Sequence, residues 1–298
     1  DNFPPEKLRK WCEGLGEKTF IGSSGRIFPQ SFKSSPLLRA WLGRLEKQNV
    51  IFKLNHDWLG WDQNNLIFKT KNGKIAVPSN TTILSLGGAS WPKLGSDGSW
   101  VKILEREGVK ISPLQPSNCG FVTEWSVVFS KKFEGKSLKS ITLSFQDKKK
   151  HGELIITKNG VEGGPIYALS AFLREEININ GSAQILLDLK PDFSIEEIQK
   201  RLLKPKLKLS MSNYLRKTLN LSDVAIGLVM ELPDRNNWIQ NKIINAIKSY
   251  KLNLQKPFAI DRAISSAGGV TFNSVNDNFM LINKPNVYVA GEMLDWEA

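Results

Sequence analysis

The stretch that most constrains this chain is TILSLGGASWPKLGSDG, Thr82 to Gly98. Thr82 to Leu86 is short, apolar and unbroken, the pattern of a strand buried on both faces. Gly87, Gly88, Gly95 and Gly98 break it, and Ser99–Gly108 then reads as a helix. Strand, glycine loop and helix in that order belong to an α/β layer. Glycine reaches positive φ and lets backbone approach another group closely. At the carboxyl end of a strand in an open sheet, such a loop lies where ligands bind. The residues leave two readings open. In one, Ser90, Ser96 and Asp97 bond the hydroxyls of a ligand. In the other, the loop is a structural turn with Asp97 or Ser99 capping the helix. It is not a G-x-G-x-x-G fingerprint, because Glu105-Arg106-Glu107 falls inside the helix and no acid ends a second strand about 20 positions on.

The rest of the chain surrounds that unit with two kinds of pattern. Residues 5–16 read as a helix opened by Pro5 and closed by Gly14 or Gly16. Ser34-Ser35-Pro36 starts a second helix carrying Leu37, Leu38, Trp41, Leu42 and Leu45 at helical spacing. From Val50 the period changes to two. Val50–Leu54, Trp58–Trp61, Leu66–Lys69 and Ile75–Val77 read as a meander, with Asn72-Gly73 as a tight turn. Beyond Pro113 strands dominate: Gly120–Thr123, Ser126–Phe129, Ser140–Phe145, Glu153–Thr157 and Gln184–Asp188, with a helix over Pro165–Glu176. Residues 194–250 then read as lysine-rich amphipathic helices broken at Pro205, Leu221-Ser222-Asp223 and Pro233. Strands return at Phe258–Ile260, Val270–Phe272, Phe279–Ile282 and Val287–Val289. The expected fold class is therefore α/β plus an inserted α+β part. Its expected division is 1–112, an insert over 113–256 (β-rich to 190, helical from 191), and a return over 257–298.

Composition narrows the function classes. Among 298 residues there are only Cys12 and Cys119, and only His56 and His151. None has metal-ligand spacing, so no metal is expected, and a reducing cytoplasm is the expected compartment. No window is long and apolar enough for a spanning helix. The net charge of +12 comes mainly from dispersed lysine, densest at Lys148-Lys149-Lys150, which reads as a hairpin tip. Lysine is a hydrated point charge rather than the fork that reads bases, so a solvated surface is favoured over nucleic acid.

Three further places could touch a ligand. Ile264-Ser265-Ser266-Ala267-Gly268-Gly269-Val270 sets small residues before a strand, where a flat ligand or another element packs. Val287 to Asp295 is an apolar strand ending in Ala290-Gly291-Glu292 and Asp295, whose carboxylates would accept bonds from polyol hydroxyls or cap a helix. Gly22-Ser23-Ser24-Gly25-Arg26 offers an arginine that either forks onto an anion or stays solvated. Trp91, Trp125, Trp238 and Trp296 read as packing residues.

Together, TTILSLGGASWPKLGSDGSW, SSGRIFPQSFKSSPLLRAWL, GELIITKNGVEGGPIYALSA, AISSAGGVTF and VYVAGEMLDWEA resemble bacterial FAD-dependent oxidoreductases of the BaiN and aminoacetone-oxidase type, in an uncharacterised flavoprotein branch. The resemblance runs over nearly the whole chain in family order. It implies an incomplete Rossmann-like FAD-binding domain interrupted by a β-barrel-like and helical insert. It implies FAD as cofactor, with NAD(P)H as candidate reductant and a small organic molecule as substrate. By position it assigns the cofactor side to Gly87, Gly88, Ser90, Gly95, Asp97, Gly98, Gly268, Gly269, Gly291, Glu292 and Asp295, and it names no acid or base. The family's opening strand–G-x-G-x-x-G–helix, which cradles the pyrophosphate at a helix N-terminus, has no counterpart here. Both ends of the sequence read as cut, so the chain is expected to be an internal piece of a longer flavoprotein. The alternatives are a flavin-associated protein that binds or modifies RNA through its basic insert, and a non-catalytic interaction module.

Overall fold

The computed structural model describes residues 3–22, 25–205, 208–232 and 240–297. Ser23 and Ser24 of the Gly22–Arg26 stretch, the expected break at Pro233, and Trp238 lie outside the described residues. The chain divides into two compact units, one of Asp1–Trp58 with Phe68–Ile75 and one of Leu59–Ile67 with Ala76–Ala298.

In the first unit, α1 (Pro5–Glu13) is followed by the hairpin β1 (Thr19–Ile21) and β2 (Ile27–Pro29), then α2 (Ser35–Lys47). Trp11 and Trp41 meet edge to face at 5.4 Å, and the Arg44 guanidinium donates to the Gly14 carbonyl at the end of α1 at 2.7 Å. Val50–Leu54, expected as a strand, forms none, and Ile51 is 77% exposed. Alternation alone does not make a strand when no neighbouring backbone takes up its hydrogen bonds. The remaining meander is present as a sheet in the order β3 (Asp57–Asp62), β4 (Asn65–Thr70), β5 (Gly73–Pro78).

From Thr82 onward the second unit holds β6 (Thr82–Leu84), α3 (Trp100–Arg106), β7 (Ile111–Ser117), β8 (Phe121–Val122) and α4 (Val127–Phe133). It continues through β9 (Ser137–Phe145), β10 (Lys148–Thr157), β11 (Gly160–Glu162), α5 (Gly164–Tyr167), α6 (Ser170–Asn180) and β12 (Ala183–Asp188). Among the described residues four α-helices follow: α7 (Ile195–Leu202), α8 (Met211–Leu219), α9 (Asp223–Glu231) and α10 (Gln240–Lys248). The last strands are β13 (Tyr250–Leu254), β14 (Lys256–Pro257), β15 (Ser265–Val270), β16 (Val287–Val289) and β17 (Trp296–Glu297).

A seven-stranded sheet runs β13-β12-β9-β10-β11-β8-β14. Its two outer strands, β13 and β14, are separated in the chain by Gln255 alone, whose N–H donates to the Val122 carbonyl of β8 at 2.9 Å. One continuous segment therefore pairs with β12 through its first half and with β8 through its second. Leu143, Leu154, Ile156 and Ile185 from this sheet are buried with Leu215, Leu228, Val229 and Ile247 from the helices. Ser194, Ser210 and Ser222 each accept the backbone N–H three residues on, and so start α7, α8 and α9 by bonding a donor that the first turn of a helix leaves without an intrahelical partner. A smaller sheet sets β15 between β17 and β7, and β6 pairs with β16 in parallel.

Several expectations change here. The β6 strand is not buried on both faces: Ile83 is 67% exposed, because the described sheet at this point has two strands and no layer over that side. Ser126–Phe129 is the start of a helix rather than a strand. Its β-branched Val127 and Val128 point outward, while Ser126 caps the turn and Phe129 and Phe133, one turn apart, enter the core. Lys148–Lys150 lie in β10, since the turn falls on Gln146 and Asp147. Pro165–Glu176 is two helices, α5 and α6. Phe258–Ile260 and Phe279–Ile282 make no ladder: the first runs into a 3₁₀ turn at Ile260–Arg262, and the second contributes isolated bridges.

Candidate functional site

The parallel pair β6 and β16 directs two loops to the same end. The ladder continues one step, with the Ala290 N–H donating to the Leu84 carbonyl at 2.9 Å, and both chains then turn away from it. Residues 85–98 leave β6 and residues 290–295 leave β16, so segments about 200 positions apart meet at the carboxyl ends of parallel strands.

Glu292 fastens them. One carboxylate oxygen accepts the Gly88 N–H at 3.0 Å and the other accepts the Ser266 N–H at 2.8 Å. The Ser266 hydroxyl in turn accepts the Ala89 N–H at 2.9 Å. Three backbone donors, two in the irregular loop and one in β15, are thus satisfied by two side chains. The Trp100 indole donates to the Gly87 carbonyl at 2.9 Å, and the Met293 sulfur accepts the Leu86 N–H at 3.0 Å. A Cβ on Gly87, where φ is 72°, would lie 2.7 Å from the Ser96 hydroxyl, and one on Gly88 would lie 2.5 Å from the Ser266 Cβ. These two glycines let the loop pack against its own neighbours.

Gly268 and Gly269 serve the same end on β15. The pairing of β15 with β7 slips between Ala267 and Gly269, leaving Gly268 as a bulge at φ 84°. A Cβ on Gly268 would strike the Pro113 carbonyl, and one on Gly269 would strike that of Met293. A Cβ on Gly98, where φ is 70°, would lie tight against Leu114 at 3.1 Å and Ala89 at 3.2 Å. Asp97 accepts the Ser99 N–H at 2.9 Å ahead of α3, and that bond holds its carboxyl below the usual range. Asp295 accepts the Ser112 hydroxyl at 2.5 Å and so ties the second loop to β7.

Four of the candidate residues are not used up in this way. Ser90 is fully buried, yet its hydroxyl has no hydrogen-bond partner among the described residues, and neither has the buried hydroxyl of Ser96. Gly95 (φ 94°) and Gly291 (φ 75°) face open space. The structure thus gathers the glycine loop, β15 and the C-terminal loop into one cluster, and separates its members into clamps and unengaged groups.

A family model described as the HI0933-like protein Rossmann domain matches residues 1–298. The chain belongs to the HI0933-like family. That is a Rossmann-type, FAD-binding family of oxidoreductases. In this HI0933-like chain, Ser112, Trp100 and Met293 complete the cluster. Sequence alone gave no signal for them, because each is an ordinary residue made specific by a partner distant in the chain. Arg174 belongs to the same group of missed residues. It is 5% exposed, forks onto both Glu297 oxygens at 3.0 and 2.8 Å and donates to the Pro116 carbonyl, while Ser117 also donates to Glu297 at 2.6 Å. Among the described residues there is no group of three or more His, Cys, Asp or Glu that could hold a metal, and no helix long and apolar enough to cross a membrane.

Proposed function

We propose that this HI0933-like chain forms the flavin side of an FAD-dependent oxidoreductase that moves a hydride or electrons to or from a small organic molecule. The observation that carries the proposal is the pair of buried, unpartnered hydroxyls of Ser90 and Ser96 at the carboxyl ends of β6 and β16. A buried hydroxyl without a partner costs about 1–3 kcal/mol, so a polar ligand that bonds both would relieve that cost. The donor set fits a polyol chain such as the ribityl of FAD, since each serine hydroxyl both donates and accepts. Gly95 and Gly291 add open backbone that a flat or extended ligand can approach.

When bound, the flavin would supply the redox chemistry, and the protein would supply orientation and surroundings. In this reading Ser90, Ser96, Gly95 and Gly291 contact the cofactor. Glu292, Gly87, Gly88, Gly268 and Gly269 fix the backbone that presents them, and Asp97, Gly98 and Asp295 brace the loop ends. The division into 1–112, an insert over 113–256 and a return over 257–298 belongs to the same proposal. It is supported by the position of β7 and β15, which pair where the chain leaves and re-enters the first part, and by the near closure of the seven-stranded sheet between them.

The test is flavin retention by the protein purified from its native reading frame, read from its visible absorbance and from FAD released on denaturation. Retention that weakens in Ser90→Ala and Ser96→Ala supports the reading. Absence of flavin at saturating FAD in a folded protein overturns it.

A further inference from the structure

At the opposite, amino ends of the same two strands lies a cleft of about 820 Å³, bordered by Thr82 of β6, Val287 of β16 and the β3–β4 turn. Its wall is rich in carboxamides: Gln63, Asn64, Asn65, Asn80 and Asn286, with Asn283 beside them donating to the Gly108 carbonyl at 2.7 Å. Apart from Asn283, none of these side chains makes a hydrogen bond within the described residues. Turn geometry explains part of the set, since Gln63 (φ 51°) and Asn286 (φ 65°) sit in left-handed backbone that amides tolerate. It does not explain Asn65 or Asn80, which adopt no such conformation.

Charge decides the class of ligand. The one lysine of the wall, Lys284, is neutralised by Glu107 at 2.6 Å and lies 4.4 Å from the centre of the Trp61 ring. No carboxylate lines the cleft among the described residues. A phosphate or carboxylate ligand therefore meets no free cation, and an amine meets no anion. What the wall offers is paired donors and acceptors on short side chains, the complement of adjacent hydroxyls. The volume falls within the range of small-molecule sites, about 300–1,000 Å³.

We infer that this cleft binds a neutral saccharide of two or three rings through Asn64, Asn65 and Asn80. The site does not involve the flavin residues, so it stands or falls separately from the redox reading. The experiment is isothermal titration and saturation-transfer NMR of the full chain with cellotriose, maltotriose and chitotriose, against trigalacturonate and trialanine as charged and peptide controls. At least one neutral trisaccharide should bind with Kd of about 1 mM or tighter, and Asn80→Leu and Asn64→Leu should each weaken it about tenfold with an unchanged circular dichroism spectrum. The inference is overturned if no neutral trisaccharide binds at about 10 mM, if both folded variants bind as well as the parent, or if only trigalacturonate or trialanine binds.

Discussion

Glu292 accepts the N–H of Gly88 across 204 positions of sequence, at 3.0 Å, while its other oxygen holds Ser266. That carboxylate is the joint between the loops of β6, β15 and β16. Truncation by Glu292→Ala would leave the N–H of Gly88 and that of Ser266 unbonded, and an unbonded buried donor costs about 1–3 kcal/mol. Glu292→Gln keeps one acceptor oxygen, so its loss should be smaller, about half. Urea unfolding of both variants checks the order. Equal stability of Glu292→Ala and the parent would show that the joint carries no load.

Gly88→Ala tests the close approach directly. Its new methyl meets the Ser266 Cβ at 2.5 Å as well as the hydroxyl. Removing the hydroxyl in Ser266→Ala therefore should not rescue it, whereas Ser266→Gly should rescue it in part. We expect Gly88→Ala to cost about 1–3 kcal/mol, the range for overpacking, and the double-mutant cycle with Ser266→Gly to show a coupling of about 1 kcal/mol or more. Additive effects in that cycle would refute the contact.

How much of this was legible beforehand depends on range in the chain. The helices between residues 195 and 248 declare themselves through local signals, lysine-rich amphipathic spacing with breaks at Pro205 and Leu221-Ser222-Asp223, and the structure forms α7 to α10 there. The Gly87–Gly98 loop was equally plain as a loop. Its internal wiring was not, because Glu292 and Ser266 act on Gly88 and Ala89 through tertiary contacts that no window contains. Val127 and Val128 misled for a related reason: β-branched residues favour strands weakly, and the Ser126 cap with the Phe129–Phe133 pair outweighed them. Ile83 read as buried and Ile51 as part of a strand because they are apolar, yet burial needs a covering layer and a strand needs a pairing partner, and their own segments supply neither.

Acid should loosen the β17 edge. Burial pushes the Glu297 carboxyl up, but the hydrogen bonds from Arg174 and Ser117 and the guanidinium charge outweigh it and hold the group below its ordinary value of 4.5. A carboxyl depressed in the folded state adds stability above its unfolded pKa and loses it as pH falls through the folded value. Glu297 is partly exposed, so solvent screening keeps the contribution to about 1 kcal/mol or less. Stability measured by urea unfolding should fall below about pH 4.5, and Glu297→Gln should flatten that part of the profile. An identical slope in Glu297→Gln would assign the loss to other carboxyls.

Cys119 should be chemically silent in the native protein. It is 1% exposed between β7 and β8, and burial pushes its thiol up to about 11 against a smaller opposing pull from the Arg174 charge. At pH 8 a thiol of that acidity is ionised in only about one molecule in a thousand, and the reagent must also reach it. Alkylation by iodoacetamide, followed by mass spectrometry of the Cys119 peptide, should therefore run at least about a hundredfold slower than in urea, because the thiolate is the reacting species. Removing the cation by Arg174→Met takes away the one nearby charge that favours the thiolate, so any residual native reactivity should fall further if folding is kept. Rapid native alkylation of Cys119 would mean that the β7–β8 edge opens far more readily than its packing implies.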